Sequence, residues 1–174
     1  MAYLFAAVFW LSVGLLIYHL FGYPALLALL VFFLKPKAQR KEFTPPVSVI
    51  IPSYNEGGVI QAKLLTVLNS DYPANQIEVI CTDDGSTDDT LEQIRSVDDA
   101  RVILDHHPER SGKMAVMNRA VHRAGGEFLV FTDGNALWKP DTLSNIMSNF
   151  AEPRVGCASG RKIPDRQGYT SRGK

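Results

Sequence analysis

Three short polar clusters in the 174-residue chain each follow an apolar, β-branched run: Tyr54-Asn55-Glu56 after residues 47–51, Asp83-Asp84 at the end of residues 77–82, and Asp133-Gly134-Asn135 after residues 127–132. Carboxylates and amides have no reason to crowd the ends of buried strands if the sheet serves stability alone. Converging at one edge, they suit a polar, hydroxyl-rich ligand, and a divalent cation if that ligand carries phosphates. Asp133 and Asn135 offer hard oxygen ligands two residues apart. Such a pair holds Mg²⁺ or Mn²⁺ by one or two protein oxygens, with the rest supplied by a diphosphate. Lys113, near a helix start, adds positive charge for the phosphates. A purely structural account competes with each. Asp83-Asp84-Gly85 is also an acidic turn, Ser86 with Asp89 three residues on is also a helix-start cap, and Asp88 and Asp89 favour the positive end of that helix. Lys113, Asn118 and Arg119 are equally a solvated helix face.

The elements that must position these groups follow from periodicity. Residues 47–51, 77–82, 101–104 and 127–132 read as strands, and Phe128, Leu129, Val130 and Phe131 are apolar enough to demand burial. Residues 155–158 read as a fifth, short strand. Between the strands lie helical periods: Ile60, Leu64, Val67 and Leu68; Leu91, Ile94 and Val97; Val116, Met117, Ala120, Val121 and Ala124, stopped by Gly125-Gly126; and a helix opened by Lys139-Pro140-Asp141. Gly57 and Gly58 permit close backbone approach. Strands alternating with helices predict an α/β unit with a mainly parallel sheet.

Residues 1–34 contain no Asp, Glu, Lys or Arg, whereas Lys35, Lys37, Arg40 and Lys41 follow at once. One straight helix of this length would be about 50 Å long against a hydrocarbon core of about 30 Å, so a kink or break is expected near Tyr23-Pro24. The segment has no basic leader and no small-residue cleavage site, which disfavours a signal peptide. The positive-inside rule places the basic flank, and everything after residue 41, on the cytoplasmic side of a cell (inner or plasma) membrane, with lipid as a partner. The expected organisation is a transmembrane segment at 1–34, a basic juxtamembrane linker at 35–46 stiffened by Pro45-Pro46, an α/β domain at 47–160 and a loose basic tail at 161–174. Lysine plus arginine and aspartate plus glutamate each number 18, which points to no polyelectrolyte partner, and no nucleic acid is expected. Cys81 and Cys157, both beside apolar runs, read as two buried thiols in a reducing compartment.

Competing motifs fail. No G-x-G-x-x-G follows the first strand, and Ser111-Gly112-Lys113-Met114 lacks the leading glycine and the hydroxyl of a P-loop. The acidic turn has its glycine too early for an EF-hand, no G-x-S-x-G elbow occurs, and His106-His107 fits no standard zinc spacing.

The residues 47–56 (Val-Ser-Val-Ile-Ile-Pro-Ser-Tyr-Asn-Glu), Asp83-Asp84-Gly85-Ser86-Thr87-Asp88, Gly112-Lys113 with Asn118-Arg119-Ala120, and Phe131-Thr132-Asp133 together resemble the processive-type family-2 glycosyltransferases, which include cellulose, chitin and hyaluronan synthases. The resemblance covers about residues 46–160, in the family's order and spacing. It implies the A-type glycosyltransferase fold and inverting, metal-assisted transfer from a nucleotide-diphosphate sugar, a uridine diphosphate sugar first, to a glycan or lipid-linked acceptor. It also implies roles. Tyr54, Asn55 and Glu56, with one of Asp83 or Asp84, cradle base and ribose; Lys113 and Asn118 lie on the donor side; Asp133 is the first acid of the family's D-x-D metal site, with Asn135 in the place of the second.

The sequence departs from the family in two ways. Asn135 offers an oxygen without charge. The acids after it, Asp141, Glu152 and Asp165, lack the context of the family's general base, and Gln167 does not open a Q-x-x-R-W motif. The expectation is therefore a donor-binding half whose catalytic base is missing, with a non-catalytic nucleotide-sugar-binding fragment at the membrane as the alternative.

Overall fold

The structure, a computed structural model, describes residues 1–34 and 42–161. The chain divides into two units, Met1–Ala38 and Gln39–Lys174. The basic flank at Lys35, Lys37, Arg40 and Lys41, and residues 162–174 with Asp165 and Gln167, lie outside the described residues.

The first unit is helical from end to end of its described part: α1 (Ala2–Ile17), a π-helical turn (Tyr18–Gly22) and α2 (Tyr23–Leu34). The chain does not break at Pro24. The register instead widens in the turn just before it, where the Tyr23 N–H reaches back five residues to the Tyr18 carbonyl. A π turn is one of the few devices by which a helix accommodates an interrupted hydrogen-bond ladder. The helical stretch Ala2–Phe33 is long and apolar enough to cross a membrane, and none of it is buried within the unit.

The second unit is a four-stranded parallel sheet in the order β3-β2-β1-β4, with β1 at Val47–Ser53, β2 at Ile77–Asp84, β3 at Val102–His107 and β4 at Phe128–Phe131. Ser53 lies in register with Asp83, and Asp84 with His107, so the polar strand ends share one edge. The parallel topology requires crossovers, supplied by α3 (Gly57–Leu68), α4 (Thr90–Arg95) and α5 (Lys113–Arg123), with α6 (Thr142–Met147) after β4.

The two sheet faces differ. On one, Val47, Val49, Ile51, Val79, Cys81 and Val130 meet Ile60, Leu64 and Val67 of α3, Ile94 of α4, and Leu143 and Met147 of α6. On the other, Ile50 and Ile80 form a small buried cluster with Ala120 of α5. This corrects the expectation that all of β4 is buried. Val130 is buried, but Leu129 is 38% and Phe131 48% exposed, because β4 is the edge strand and their face lies beyond the cluster that α5 covers.

Other departures are local. Residues 155–158 form no strand, and Cys157 is exposed rather than buried because no sheet partner draws that stretch in. The third strand runs on through Asp105-His106-His107, past the end expected at residue 104. The distal part of the expected linker belongs to the domain. Phe43 packs edge-on against Phe128 at 5.7 Å, the Tyr72 hydroxyl donates to the Pro45 carbonyl at 2.7 Å, and the Phe128 N–H to the Pro46 carbonyl at 3.1 Å. Ser86 does not cap α4. Its hydroxyl turns back to Asp83, and Asp88 instead accepts from the Thr90 N–H at 3.0 Å and from the Thr90 hydroxyl.

Candidate functional site

The turn after β1 is built onto the turn after β2. Asn55 sits in the left-handed region (φ 53°), a conformation that asparagine tolerates better than most residues. Its N–H donates to Ser86 Oγ at 2.9 Å, and its side-chain oxygen accepts from the Thr87 N–H at 2.8 Å. The Glu56 N–H donates to Thr90 Oγ1 at 2.8 Å and the Gly57 N–H to Asp88 Oδ2 at 3.1 Å. Glycine at residue 57 leaves room for Asp89, since a Cβ there would lie 1.8 Å from Asp89 Oδ1 and would displace that side chain.

The paired aspartates have separate tasks. Asp83 is fully buried and faces its own turn. Its Oδ2 accepts from the Gly85 and Ser86 N–H groups, each at 3.1 Å, its Oδ1 accepts from the Ser86 hydroxyl, and His106 Nδ1 stands 3.0 Å from Oδ2. Asp84 lines the cleft. It accepts from the Ser111 N–H at 2.6 Å, the Ser111 hydroxyl at 3.2 Å and the Gly112 N–H at 2.9 Å. Burial works to raise its pKa. The Ser111 and Gly112 donors, with Arg110 nearby, outweigh that and hold the carboxyl below its ordinary range. Asp84 thereby fixes the loop that leads into α5.

The cleft has a volume of about 290 Å³ and is walled by Tyr54, Glu56, Asp84, Lys113, Asp133 and Asn135 among the residues singled out from the sequence. Asn55, Asp83 and Asn118 do not line it. The first two tie the turns together, and Asn118 is exposed on α5. Arg110 also lines it, its guanidinium 4.1 Å from the Tyr54 ring centre, within cation–π range.

At the β4 end, Lys113 Nζ donates to Asp133 Oδ1 at 2.6 Å. Glu56 lies alongside. Its Oε2 is buried without a hydrogen-bond partner, and a Cβ at residue 134 would fall 1.8 Å from that oxygen, so glycine leaves room for the carboxylate. Burial, then the charge of Asp133, pushes the Glu56 pKa up, with Lys113 opposing. Asp133 and Asn135 thus face the cleft beside an orphaned carboxylate oxygen. That donor set fits an oxygen-preferring divalent cation taking its remaining ligands from phosphates and water. Among the described residues, no group of three or more His, Cys, Asp or Glu could hold a metal.

Sequence reasoning passed over Lys63. It is the largest of the fully buried side chains and reaches from α3 to the β4 loop. The signal was present: Lys63 stands three residues after Ile60 and four before Val67, on the apolar face of its helix.

The sequence model described as "Glycosyl transferase family 2" matches residues 48–173. Among curated proteins, the chain is 38% identical over 111 residues to the putative teichuronic acid biosynthesis glycosyltransferase TuaG of Bacillus subtilis, covering 62% of this chain and 43% of that protein. It is 34% identical over 99 residues to WfaP of Escherichia coli, described as a UDP-Glc:alpha-D-GlcNAc-diphosphoundecaprenol beta-1,3-glucosyltransferase, covering 57% of this chain and 39% of the relative. Among solved structures, the mannosyltransferase PcManGT of Pyrobaculum calidifontis, in complex with GDP-Man and Mn²⁺, superposes with a TM-score of 0.71 at 36% identity, covering 83% of this chain and 44% of that one. The chain spans less than half the length of each of these three proteins.

Proposed function

Since the chain belongs to glycosyl transferase family 2, we propose that its cleft binds the nucleotide-diphosphate part of a sugar donor, a uridine diphosphate sugar in the first instance, for transfer to a glycan or lipid-linked acceptor. The observation that carries this reading is the convergence of three strand ends on one cleft, with an aromatic face and carboxylate at one end and a lysine and two oxygen ligands at the other. Tyr54 offers the ring on which a base stacks, and Asp84 holds the loop that closes over it. Lys113 begins α5, where the helix dipole and its own charge favour a diphosphate. Asp133 and Asn135 would hold Mn²⁺ or Mg²⁺, which when bound would neutralise charge on the leaving diphosphate. WfaP is named for a uridine donor and a lipid-linked acceptor, and PcManGT was solved with Mn²⁺, which supports donor class, acceptor class and metal alike.

Inverting transfer needs a carboxylate within reach of the acceptor hydroxyl. Among the described residues, the cleft carboxylates are Glu56, Asp84 and Asp133, and all three serve the donor side. Asp141 precedes α6, and Glu152 pairs with Arg154 at 2.8 Å on the surface. This favours a second reading, in which the polypeptide binds donor at the membrane and transfers little. Anchoring through Ala2–Phe33 with residues 42–174 in the cytosol completes the proposal. A reporter fused after Lys174 should be active in the cytosol, and activity confined to the outside would overturn this topology.

The deciding experiment is calorimetric titration of the detergent-purified chain with UDP, with and without Mn²⁺. Binding should tighten with the metal, and Asp133→Ala should remove most of that gain. Binding indifferent to both metal and substitution would place the site elsewhere. Incubation with a radiolabelled donor separates the two readings, since robust product that vanishes in Asp133→Ala would reject the binding-only one.

A further inference from the structure

The ammonium of Lys63 lies beneath the β4 loop with no exposed surface. Nζ donates to Thr132 Oγ1 at 2.9 Å and to the Ala136 carbonyl at 2.6 Å, and it stands 4.2 Å from the centre of the Trp138 ring. Thr132 and Ala136 flank Asp133-Gly134-Asn135, so one buried cation grips both ends of the segment that presents the two oxygen ligands. A buried charge costs several kcal/mol in desolvation by order of magnitude unless it is well partnered, and leucine or methionine would fill the same core position without that cost. Folding alone gives no reason for a lysine here, whereas a loop that must keep two oxygens at a fixed separation does.

Resting on the donor-site reading above, we propose that Lys63 is a positioning residue for the metal loop: its ammonium, clamped between Thr132 and Ala136, sets the spacing of Asp133 and Asn135 from below, touching neither donor nor metal. The electrostatics agree. Burial pushes the lysine pKa down to about 7, and the charge of Asp133 works against that shift, so the two groups feel one another through the loop.

The test uses the full chain in detergent with UDP alone and UDP plus Mn²⁺ as probes, comparing wild type, Lys63→Met and Thr132→Val. Lys63→Met should leave affinity for UDP alone within about threefold and reduce the Mn²⁺-dependent tightening by about tenfold or more, the scale of one charge-assisted hydrogen bond. Thr132→Val, which removes one of the two anchors and leaves the core filled, should shift the same ratio in the same direction by less, and it decides the matter if Lys63→Met does not fold. A merely structural lysine would lower the melting temperature and weaken both titrations together. That outcome, or a wild-type ratio in both variants, overturns the inference. Wild type that binds UDP without responding to Mn²⁺ overturns it while sparing the donor reading, and wild type that binds no UDP overturns both.

Discussion

The two ends of the cleft are built by different means. At the β1–β2 end, the turns hold each other through backbone N–H groups donated to side-chain oxygens of Asn55, Asp83, Asp84, Ser86, Asp88 and Thr90. The bonds to Asp83, Asp84, Asp88 and Thr90 are half-buried, those between Asn55 and residues 86–87 are exposed, and none needs a ligand to complete it. At the β4 end, the loop is gripped from below by Lys63 and meets Lys113 above, in an ion pair whose side chains are 59% and 57% exposed. An exposed pair is screened and contributes little. One end is therefore preorganised by the fold, and the other has its cleft-side charges balanced by a contact that a ligand can replace. For the proposed donor, the base-and-ribose end is fixed before binding, whereas at the diphosphate-and-metal end the ligand would exchange with the Lys113–Asp133 contact above a loop already held by Lys63.

Asp84→Ala breaks the stronger end and carries the largest expected effect. It strips the Ser111 and Gly112 N–H groups of their acceptor at a position only 4% exposed. Hydrogen bonds to a charged acceptor contribute about 1.5–3 kcal/mol each to stability, so a loss of about 3 kcal/mol in urea unfolding of the chain is expected, with UDP binding weakened whether or not metal is present. Asp84→Asn, which keeps the shape, should recover part of it. Unchanged stability in Asp84→Ala would show that the loop into α5 is held by something else.

The β4 end should reveal itself by pH. Below about pH 7, Lys63 is protonated in both folded and unfolded chains, and burial of the charge weighs fully against folding. As pH rises through 7, the folded state releases the proton while the unfolded chain keeps it until its ordinary value of 10.5 is approached. The unfolded state then binds more protons, so stability rises with pH. The window is cut off near pH 9, where Cys81 and Tyr72, both pushed up to about 12 by burial, begin to act in the opposite sense. The expected result is a rise of about 1–2 kcal/mol between pH 7 and 9 in wild type, absent in Lys63→Met. A rise that survives the substitution would assign it to another group.

The contrast also explains what could be read from the sequence. The strands, their parallel order class and the three polar strand ends follow from period-two and continuous apolar runs, which depend on neighbours in the chain. Glu56, Asp84, Asp133 and Asn135 stand out because polar groups after a buried strand are locally anomalous, Lys113 because it sits near a helix start, and all five line the cleft. The division of labour between Asp83 and Asp84 was not legible, because it depends on whether a carboxylate turns to its own turn or to residues 111–112, across a whole crossover. The same holds for Ser86, whose spacing to Asp89 suits a cap but whose hydroxyl is taken by Asp83. Lys63 was missed because its partners are 69 and 73 residues away. Leu129 and Phe131 were misjudged because hydrophobicity reports what a strand can bury, and the sheet order decides what covers it.

Lys113 gives the smallest effect on folding and the sharpest view of the weaker end. Its bond to Asp133 is short, but both side chains lie mostly in solvent, so Coulomb attraction there competes with water and salt. Lys113→Met keeps the aliphatic stem and the helix propensity, and it should change unfolding free energy by no more than about 0.5 kcal/mol. Binding should respond differently. Without its lysine, Asp133 meets an incoming diphosphate as like charge against like charge, so UDP without metal should bind several-fold more weakly, and the loss should shrink as salt rises from low ionic strength toward about 1 M. With Mn²⁺ present, the deficit should narrow further, since the cation would balance the same carboxylate. Titrations of wild type and Lys113→Met across salt, with and without Mn²⁺, read all three effects. A large loss of stability would mean that the ion pair holds the loop, making the two ends alike. A binding deficit that ignores salt and metal would mean that Lys113 acts through shape and that its charge does not reach the phosphates.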